Sequence, residues 1–546
     1  MIVIALCGLF LICTGSSAVP LAEEPIVTLP YGQIRGRIAV TESDGVTFYS
    51  FQEVPFAAPP VGNLRFQPPQ PVPSWEGILD TQTNTKMCYQ VTANNHYENE
   101  DCLYLNVYSP VPPGSDSTLP VLVNIYGGTF THGSAMFQYA GPQSFMSRGV
   151  IMVTFNYRVG PFGFLSTEDT VVAGNMGVKD QQFALKWVQE NIHLFGGDPT
   201  KVTLIGQSAG ASSVTYQILS PGSAGLFRAA IAESGSALCP WSHQRHALDT
   251  AYKVAAYIDA SFDTTSSTQQ LADFLISVDA SAIDAASEKY QVWAPVVEPE
   301  HDGAFITGSM YDLVKNGQIN KVPLIIGMNS EEYISKAADL DSFKVSMAAI
   351  DKYPQKIISE NMNIVDDQTK IEAGEAVRKI YTSGMFQDDL ASAIKYLSDN
   401  TFDKGVIRYA EFQSQYTDVY FYQFSYHGIL GRNNVSMEGL EGRVEHGEDS
   451  RYLWTAALDI NSYPEADRKT ADRYMTLFTD FAKYLNPTPE KEDLFDNLQW
   501  PTVSSDNFSY LDIDENLEIK VNPREASYQK WIEVYEQYGV QPFYTF

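Results

Sequence analysis

One short segment constrains the fold of this chain more than any other, a β-branched run that ends in a turn rich in glycine. Val202–Ile205 has the composition of a buried strand, the sequence Gly-Gln-Ser-Ala-Gly centred on Ser208 follows it, and a helix-like run begins after Ala209. A serine at such a junction has a strained backbone, so its surroundings require glycines without a Cβ. The arrangement is typical of a nucleophile elbow at the edge of an α/β sheet. Ser208 is therefore the candidate nucleophile.

Apolar runs of strand length recur along the chain, as expected for strands that are buried on both faces. They are Val121–Tyr126, Val150–Asn156, Val202–Ile205, Ala229–Ala232, Leu324–Gly327 and Val419–Phe424. Between the second and third runs, apolar residues at helical spacing predict a helix over Lys179–Phe195, which Gly196 and Gly197 end before a turn at Asp198-Pro199. Alternation of strands and helices indicates the α/β class with a mostly parallel sheet.

Two longer segments are predicted to be helical additions to this sheet. Residues 242–287 are polar and rich in Ala, Ser and Asp, which is typical of surface helices, and residues 340–415 form a second helical insertion expected to cover one end of the sheet. Internal repeats and low-complexity tracts are absent from the sequence. We therefore predict one large domain over residues 19–546.

The first residues have the pattern of an export signal. Ile2–Cys13 is apolar, and small residues ending at Ala18 resemble a cleavage site. After this segment the sequence contains no apolar run of the roughly 18 residues that a membrane span needs. We expect residues 1–18 to be a signal peptide, and the remainder to be secreted without a membrane span.

Cysteines and glycosylation sequons agree with export. Without the predicted signal peptide the chain has an odd number of cysteines, Cys88, Cys102 and Cys239, which predicts one disulfide and one buried thiol in an oxidising compartment. Two sequons, at Asn434 and Asn507, are candidate glycosylation sites.

The charge balance excludes one class of partner. The chain has 36 Lys and Arg against 66 Asp and Glu, a formal net charge of −30. Such a charge opposes binding to phosphate backbones and to anionic membrane surfaces. We expect no nucleic-acid partner, and the oligomeric state is left open.

A serine hydroxyl needs a base to act as a nucleophile at neutral pH. If the acid and then the histidine follow the elbow serine in the chain, only His427 and His446 lie late enough to serve. His427 ends an aromatic strand, whereas His446 lies in a loop between Gly442 and Gly447 that can direct an imidazole into a cleft. His446 is the predicted base.

The acid is expected just beyond a strand end between the nucleophile and the base. Glu331 and Glu332 both follow the Leu324–Gly327 run, while Glu298 and Asp302 are alternatives in another loop. The carboxylate would fix the histidine tautomer and stabilise the imidazolium.

The oxyanion of the reaction needs preorganised N–H donors. A glycine turn follows the buried Val121–Tyr126 run, and it makes Gly128 and Thr129 candidate donors together with Ala209 after the nucleophile. These three parts predict acyl transfer on a small-molecule ester, and the chemistry calls for neither a metal nor a cofactor.

Over its mature length the chain resembles the type-B carboxylesterase and cholinesterase family of α/β-hydrolases. The resemblance rests on ordered segments: FAAPP from Phe56, EDCLYLNV from Glu100, NYRVG from Asn156, GNMGVKDQ from Gly174 and FGGDP from Phe195. It implies a large, mostly parallel sheet flanked by helices, with helical insertions over a catalytic gorge.

The same resemblance assigns roles to individual residues. It implies Ser208 as nucleophile, Glu332 as acid and His446 as base. It also implies a disulfide between Cys88 and Cys102. Ser234 matches a buried serine near the catalytic histidine, and Cys239 matches a position that is commonly a free buried thiol.

Departures from the family pattern narrow the subfamily. Cholinesterases have Glu where this chain has Gln207, and a Trp in the loop that here contains Tyr89 and Tyr97. A quaternary ammonium needs a negative charge or an aromatic face, so acetylcholine is not the expected substrate. The Gly-Gln-Ser-Ala-Gly motif, with Asp449 three residues after His446, is similar to insect juvenile hormone esterases.

We therefore expect a secreted serine carboxylesterase that forms an acyl-enzyme and acts on apolar esters of the juvenile hormone type. Detoxifying and odorant- or pheromone-degrading esterases, some of which share Gln207, are the alternative. A non-catalytic adhesion protein of the same fold is a further alternative. Gln207, Phe130 and Trp293 are candidate substrate-binding residues, and ordinary core packing is the alternative for the two aromatic side chains.

Overall fold

The computed structural model of the protein describes residues 24–91, 96–290, 293–454, 459–504 and 506–546. The predicted signal peptide lies outside these residues. In chain order the strands are β1 (Ile26–Leu29), β2 (Gly32–Arg35), β3 (Arg37–Val40), β4 (Thr47–Pro55), β5 (Ile78–Asp80), β6 (Tyr104–Ser109), β7 (Leu119–Ile125), β8 (Ile151–Phe155), β9 (Gly197–Gln207), β10 (Ala229–Glu233), β11 (Leu324–Asn329), β12 (Val419–Phe424), β13 (Ser509–Ile513) and β14 (Leu517–Val521).

The α-helices surround these strands. They are α1 (Gln143–Met146), α2 (Gly160–Phe164), α3 (Met176–Asn191), α4 (Ala209–Leu219), α5 (Ala247–Ile258), α6 (Thr268–Ser277), α7 (Ala280–Ser287), α8 (Met310–Lys315), α9 (Leu340–Lys352), α10 (Asp367–Tyr381), α11 (Leu390–Ser398), α12 (Lys404–Gln413), α13 (Ser450–Leu453), α14 (Glu465–Tyr484) and α15 (Glu525–Tyr538). A π-helical turn, Asp399–Asp403, joins α11 to α12.

The centre of the fold is an 11-stranded sheet in the order β14-β13-β12-β11-β10-β9-β7-β8-β6-β4-β3. Neighbouring strands from β8 to β13 run parallel, whereas the pairs at both edges run antiparallel. A separate 3-stranded sheet contains β1, β2 and β5. The predicted α/β class with a mostly parallel sheet is confirmed.

Burial on both faces explains why the central strands are continuously apolar. In β7, Val121 and Val123 belong to the core on one face, while Leu122 packs with Ile205 and Ile231 on the other. Each of these side chains is fully buried. Alternate residues of one strand therefore fill two different cores, and neither face can be polar.

The segment between β8 and β9 differs in detail from the prediction. The helix α3 ends at Asn191, and a 3₁₀ turn over Ile192–Phe195 completes the predicted span before Gly196 takes a left-handed φ of 86°. The sequence Asp198-Pro199 is not a turn but part of β9, because β7 extends to Leu119 and pairs there with Gly197. An irregularity in this pairing between Leu119 and Val121 accommodates Pro199, which lacks an N–H.

The predicted helical additions and cysteine pairing are present. The helices α5, α6 and α7 lie within residues 242–287, and α9 to α12 lie within residues 340–415. Cys88 and Cys102 form a disulfide, and Cys239 is a buried free thiol. Both Asn434 and Asn507 are exposed. In the described ranges, no helix combines the length and apolar character of a membrane span.

One buried ion pair ties α3 to the loop after β8. The guanidinium of Arg158 donates from Nε and Nη2 to the two oxygens of Asp180 at 2.8 and 2.7 Å, and both side chains are almost fully buried. We predict that Asp180→Asn lowers the free energy of unfolding by about 3–5 kcal/mol, because it leaves a buried cation without its counter-charge. Urea unfolding measures the change.

Lys201→Met is the matched control for this prediction. Lys201 pairs with Asp198 at 3.1 Å, and its side chain is 35% exposed. Removing such an exposed partner is expected to cost less than about 1 kcal/mol. Equal unfolding midpoints for the two variants would contradict the structural role of the buried pair.

Candidate active site

The candidate site lies where the carboxyl ends of neighbouring parallel strands meet. β9 ends immediately before Ser208, β11 ends three residues before Glu332, and β10 ends immediately before Ser234. The glycine turn with Gly128 follows β7, and the loop with His446 follows β12. Residues that lie far apart in the chain therefore meet because parallel strands bring their ends to one edge.

Ser208 occupies a strained turn between β9 and α4. Its backbone has φ of 59° and ψ of −122°, a conformation that non-glycine residues rarely adopt. Gly206 packs against the backbone of Gly210, and a Cβ on Gly210 would collide with the carbonyl oxygen of Ile125. The two glycines are therefore required by close backbone approach, as the motif predicts.

Three side chains form a hydrogen-bonded series at this turn. Nε2 of His446 lies 2.8 Å from Oγ of Ser208, and Nδ1 of His446 lies 2.7 Å from Oε2 of Glu332. The Glu332 side chain is fully buried, whereas 28% of the His446 side chain is exposed. A hydroxyl, an imidazole and a carboxylate in this order can activate the hydroxyl as a nucleophile.

The carboxylate of Glu332 is held by donors on its other oxygen. Oε1 accepts hydrogen bonds from the Ser234 hydroxyl at 2.7 Å and from the backbone N–H of Asn329 at 2.8 Å. Ser234 therefore orients the acid rather than contacting the imidazole. The backbone N–H of His446 also donates to the Glu332 carbonyl at 3.2 Å, which joins the two loops.

The alternatives for acid and base lie elsewhere. Glu331 faces another cavity, whose lining includes Arg524. Glu298 accepts a hydrogen bond from Nζ of Lys179 at 2.7 Å in a buried ion pair. Nε2 of His427 lies 2.9 Å from the carbonyl oxygen of Asn433.

The imidazole of His446 is also packed on its face. The ring of Phe402, in the π-helical turn, stacks on it with centroids 4.2 Å apart and an angle of 25° between the planes. Nε2 of Gln207 lies 3.3 Å from Nε2 of His446, on the side where Ser208 also bonds. The His446 imidazole is thus in contact with a carboxylate, an aromatic ring and an amide.

Further carboxyl groups lie buried behind this series. The Tyr474 hydroxyl lies 3.1 Å from Asp449 and 3.4 Å from Glu233. Burial, followed by the negative charge of Asp449, raises the pKa of Glu233 well above its usual range. Burial, followed by the charge of Glu332, also raises the pKa of Asp449. Burial therefore disfavours the charged form of both carboxyl groups.

The proposed oxyanion donors lie beside the nucleophile. Gly128 and Thr129 both have positive φ, 114° and 53°, and both line the cavity that contains Ser208. A β-branched residue is strained in this region, and the Thr129 hydroxyl is paired with the Thr131 hydroxyl at 2.8 Å. Ala209 is the first residue of α4, where N–H groups and the helix dipole favour negative charge.

The cavity above Ser208 has a volume of about 560 Å³. Aromatic residues form part of its wall together with polar ones, and the lining outside the motifs includes His132, Trp241, Tyr333, Lys336 and Phe402. Burial lowers the pKa of His132 and so disfavours its charged form.

The three residues predicted to bind substrate occupy different places. Gln207 lines the cavity with Ser208. Phe130 is fully buried beneath it, where its ring packs against Phe164 and Trp241. Trp293 lines a neighbouring cavity, not the one above Ser208. The alternative of core packing thus describes Phe130.

Sequence reasoning did not single out Trp241 and Phe402. Trp241 lies two residues after Cys239, and Phe402 lies in the insertion predicted only as a helical cover. Neither residue belongs to a recognisable motif. Each reaches the site only because a distant segment of the chain folds over the sheet. The Pro-Trp pair after Cys239 was the one available signal for Trp241.

Comparisons with known proteins show which family and fold the chain is similar to. The sequence model of the carboxylesterase family matches residues 23–531. Venom carboxylesterase-6 of Apis mellifera is 34% identical over 536 residues, covering 93% of this chain and 94% of that protein. Juvenile hormone esterase of Tribolium castaneum is 31% identical over 518 residues, covering 88% and 86%. The crystal structure of juvenile hormone esterase from Manduca sexta, with OTFP covalently attached, has a TM-score of 0.83 at 28% identity, covering 94% of this chain and all of that one.

The adjacent carboxylates Glu331 and Glu332 allow a sharp test of the site. We predict that Glu332→Gln lowers kcat for a naphthyl ester by about 10⁴-fold at neutral pH, because an amide does not fix the tautomer of His446 or stabilise its cation. Steady-state kinetics measure the loss.

Glu331→Gln is the matched control, since it makes the same chemical change one residue away. This carboxyl group is buried but faces the other cavity, and we expect kcat to change less than tenfold. Comparable losses in the two variants would contradict the assignment of the acid.

Proposed function

The chain belongs to the carboxylesterase family of α/β-hydrolases and is a carboxylic ester hydrolase, and from this premise we propose that Ser208 carries the acyl group during hydrolysis of apolar esters. The observation that supports this most is the hydrogen-bonded series of Ser208, His446 and Glu332, with contacts of 2.8 and 2.7 Å.

In the proposed mechanism Ser208 Oγ attacks the ester carbonyl while its proton moves to Nε2 of His446. The N–H groups of Gly128, Thr129 and Ala209 stabilise the oxyanion of the tetrahedral intermediate. His446 then returns the proton to the departing alcohol, which leaves an acyl group on Ser208. Water, deprotonated by the same imidazole, then attacks the acyl carbonyl. The bond from the acyl carbon to Ser208 Oγ breaks, the imidazole returns the proton to Oγ, and the carboxylic acid leaves.

Glu332 acts through the imidazole. Its Oε2 accepts a hydrogen bond from Nδ1 of His446, which leaves Nε2 free to accept the serine proton. The positive charge that forms on the imidazole faces a fully buried carboxylate. Ser234 and the N–H of Asn329 keep that carboxylate in place.

We propose esters of the juvenile hormone type as the substrate class. Two of the similar proteins are named juvenile hormone esterases, and the neutral Gln207 stands beside the nucleophile where a cholinesterase has a charged Glu. The aromatic wall formed by Trp241, Tyr333 and Phe402 suits an apolar substrate.

A carboxylesterase of broader substrate range is the second candidate. It is favoured by the greater identity to venom carboxylesterase-6, 34% against 31% for the Tribolium castaneum hormone esterase. Lys336 on the cavity wall is also polar, so the cavity suits esters that have polar groups as well as purely apolar ones.

We further propose that the protein is secreted and acts outside the cell. The apolar run Ile2–Cys13, the disulfide between Cys88 and Cys102 and the exposed sequons at Asn434 and Asn507 support this location.

We predict that the protein hydrolyses both naphthyl acetate and juvenile hormone, with the higher kcat/KM for the hormone. Ser208→Ala is expected to lower both activities by more than about 10⁴-fold, since it removes the hydroxyl that lies 2.8 Å from Nε2 of His446. Initial rates on the two substrates provide the measurement.

Ser212→Ala serves as the control. Ser212 lies one helical turn beyond Ser208, and its buried Oγ has no hydrogen-bond partner among the described residues. This variant should keep the parent activity. A higher kcat/KM for naphthyl acetate than for the hormone would favour the broader carboxylesterase, and inactivity of folded parent protein on both would contradict the proposal.

A further inference from the structure

A second cavity adjoins the one that contains Ser208. It has a volume of about 630 Å³, and Thr129 and Trp241 line both cavities. The remaining wall includes Gln244, Arg245 and Trp293. If the reacting carbonyl of an ester lies at the Thr129 N–H, one arm of that ester can therefore extend past Trp241 into the second cavity.

Buried polar groups without partners line this second cavity. Gln244 is 6% exposed and Trp293 is 2% exposed. Both amide atoms of Gln244 and Nε1 of Trp293 lack a hydrogen-bond partner within the described part of the chain. Leaving such groups unpaired costs about 1–3 kcal/mol each, which is unusual unless another molecule satisfies them.

Arg245 adds a positively charged donor to the same wall. Its guanidinium lies 3.4 Å from Oδ1 of Asn363 and 3.2 Å from the Thr545 hydroxyl. Across the described residues, no carboxylate forms a salt bridge with it. Its charge therefore remains available to an oxygen of a bound molecule.

Other ionisable groups of the cavity lie in exposed pairs. His246 lies 3.6 Å from Glu360, and Lys253 lies 2.5 Å from Asp249, with all four side chains more than half exposed. His243 is different, because burial lowers its pKa to about 4 and keeps it neutral. The unpaired groups are thus the buried ones, the amides of Gln244 and Asn361 and Nε1 of Trp293, which together present three donor nitrogens and two acceptor oxygens.

We infer that this cavity binds an acceptor oxygen, of a carbonyl or a carboxylate, on the arm of the ester that extends past Trp241. The inference rests on the proposed function and specifies its substrate class further, as apolar esters with a second oxygen-bearing group. Nε1 of Trp293, Nε2 of Gln244 and the Arg245 guanidinium are the donors. An alkyl end in the same place leaves Gln244 and Trp293 unpaired.

The test compares para-nitrophenyl esters of equal chain length that end in an alkyl group, a ketone or a carboxylate. A parallel series of acetate esters varies the alcohol in the same way, and its hydrolysis is measured as the release of acid. The two series together examine both arms of the substrate. We expect kcat/KM to be about tenfold higher for an oxygen-bearing end than for the alkyl end in one series. The ketone and carboxylate members separate a neutral from a charged acceptor.

Two variants assign that preference to the cavity. Gln244→Leu and Trp293→Phe remove the donors but keep most of the side-chain volume, and each should reduce the preference severalfold. Gln244→Leu should not lower the melting temperature, because the removed atoms make no hydrogen bond in the described structure, whereas Trp293→Phe should lower it only by the buried ring volume that it removes.

Gln413→Leu is the matched control, as a buried glutamine outside the cavity. Its Nε2 donates to the Val322 carbonyl at 3.1 Å, so the variant should lower the melting temperature and leave the preference intact.

Absence of a preference in both series, while the alkyl ester is still hydrolysed in a Ser208-dependent manner, would overturn the inference and leave the proposed function standing. Retention of the preference in both cavity variants would also overturn it. If no ester were hydrolysed, the proposed function and this inference would fail together.

Discussion

The backbone strain at Ser208 is the constraint on which the rest of the site depends. A φ of 59° at the end of a buried strand turns the hydroxyl out of the sheet and starts a helix directly behind it. That conformation persists because the neighbouring backbone fixes it: the Ser208 N–H donates to the Glu233 carbonyl at 2.8 Å, and Gly210 packs against Ile125. The parallel strands on either side of β9 then determine what can surround the serine.

The electrostatics of the site follow from where charge is buried. Glu332 lies in the protein interior, yet three donors, from Ser234, Asn329 and His446, satisfy its carboxylate. A buried carboxylate with this many hydrogen bonds is held in one orientation. Behind it burial raises the pKa of Glu233, which disfavours its charged form. Glu332 is the carboxylate in direct contact with the imidazole, at 2.7 Å.

Local sequence patterns predicted the parts of the fold that local forces determine. The apolar runs predicted the buried strands because both faces of the sheet are cores, and the glycines around Ser208 predicted the elbow because only they permit its backbone approach. Chain order and glycine flanks predicted His446 as the base, and the structure places its Nε2 2.8 Å from Ser208 Oγ. Residue patterns could not separate Glu331 from Glu332, since their directions depend on the turn after β11.

The remaining features depend on contacts between distant segments. Phe402 meets His446 only because the insertion folds over the sheet, and no local pattern encodes that. Phe130 and Trp293 are both aromatic residues that the sequence alone could not tell apart. In the structure Phe130 is buried under Trp241, whereas Trp293 lines a cavity. Gln244 has an ordinary polar sequence context, and its unpaired amide is evident only from the tertiary structure.

Covalent labelling tests the central claim, that the strained turn makes Ser208 the nucleophile, most directly. The folded protein is treated with an organophosphate, digested and analysed by peptide mass spectrometry. The account predicts one adduct per chain, located on the peptide that contains Ser208, with loss of esterase activity in proportion to labelling. An adduct on another residue, or full loss of activity without modification of Ser208, would contradict it.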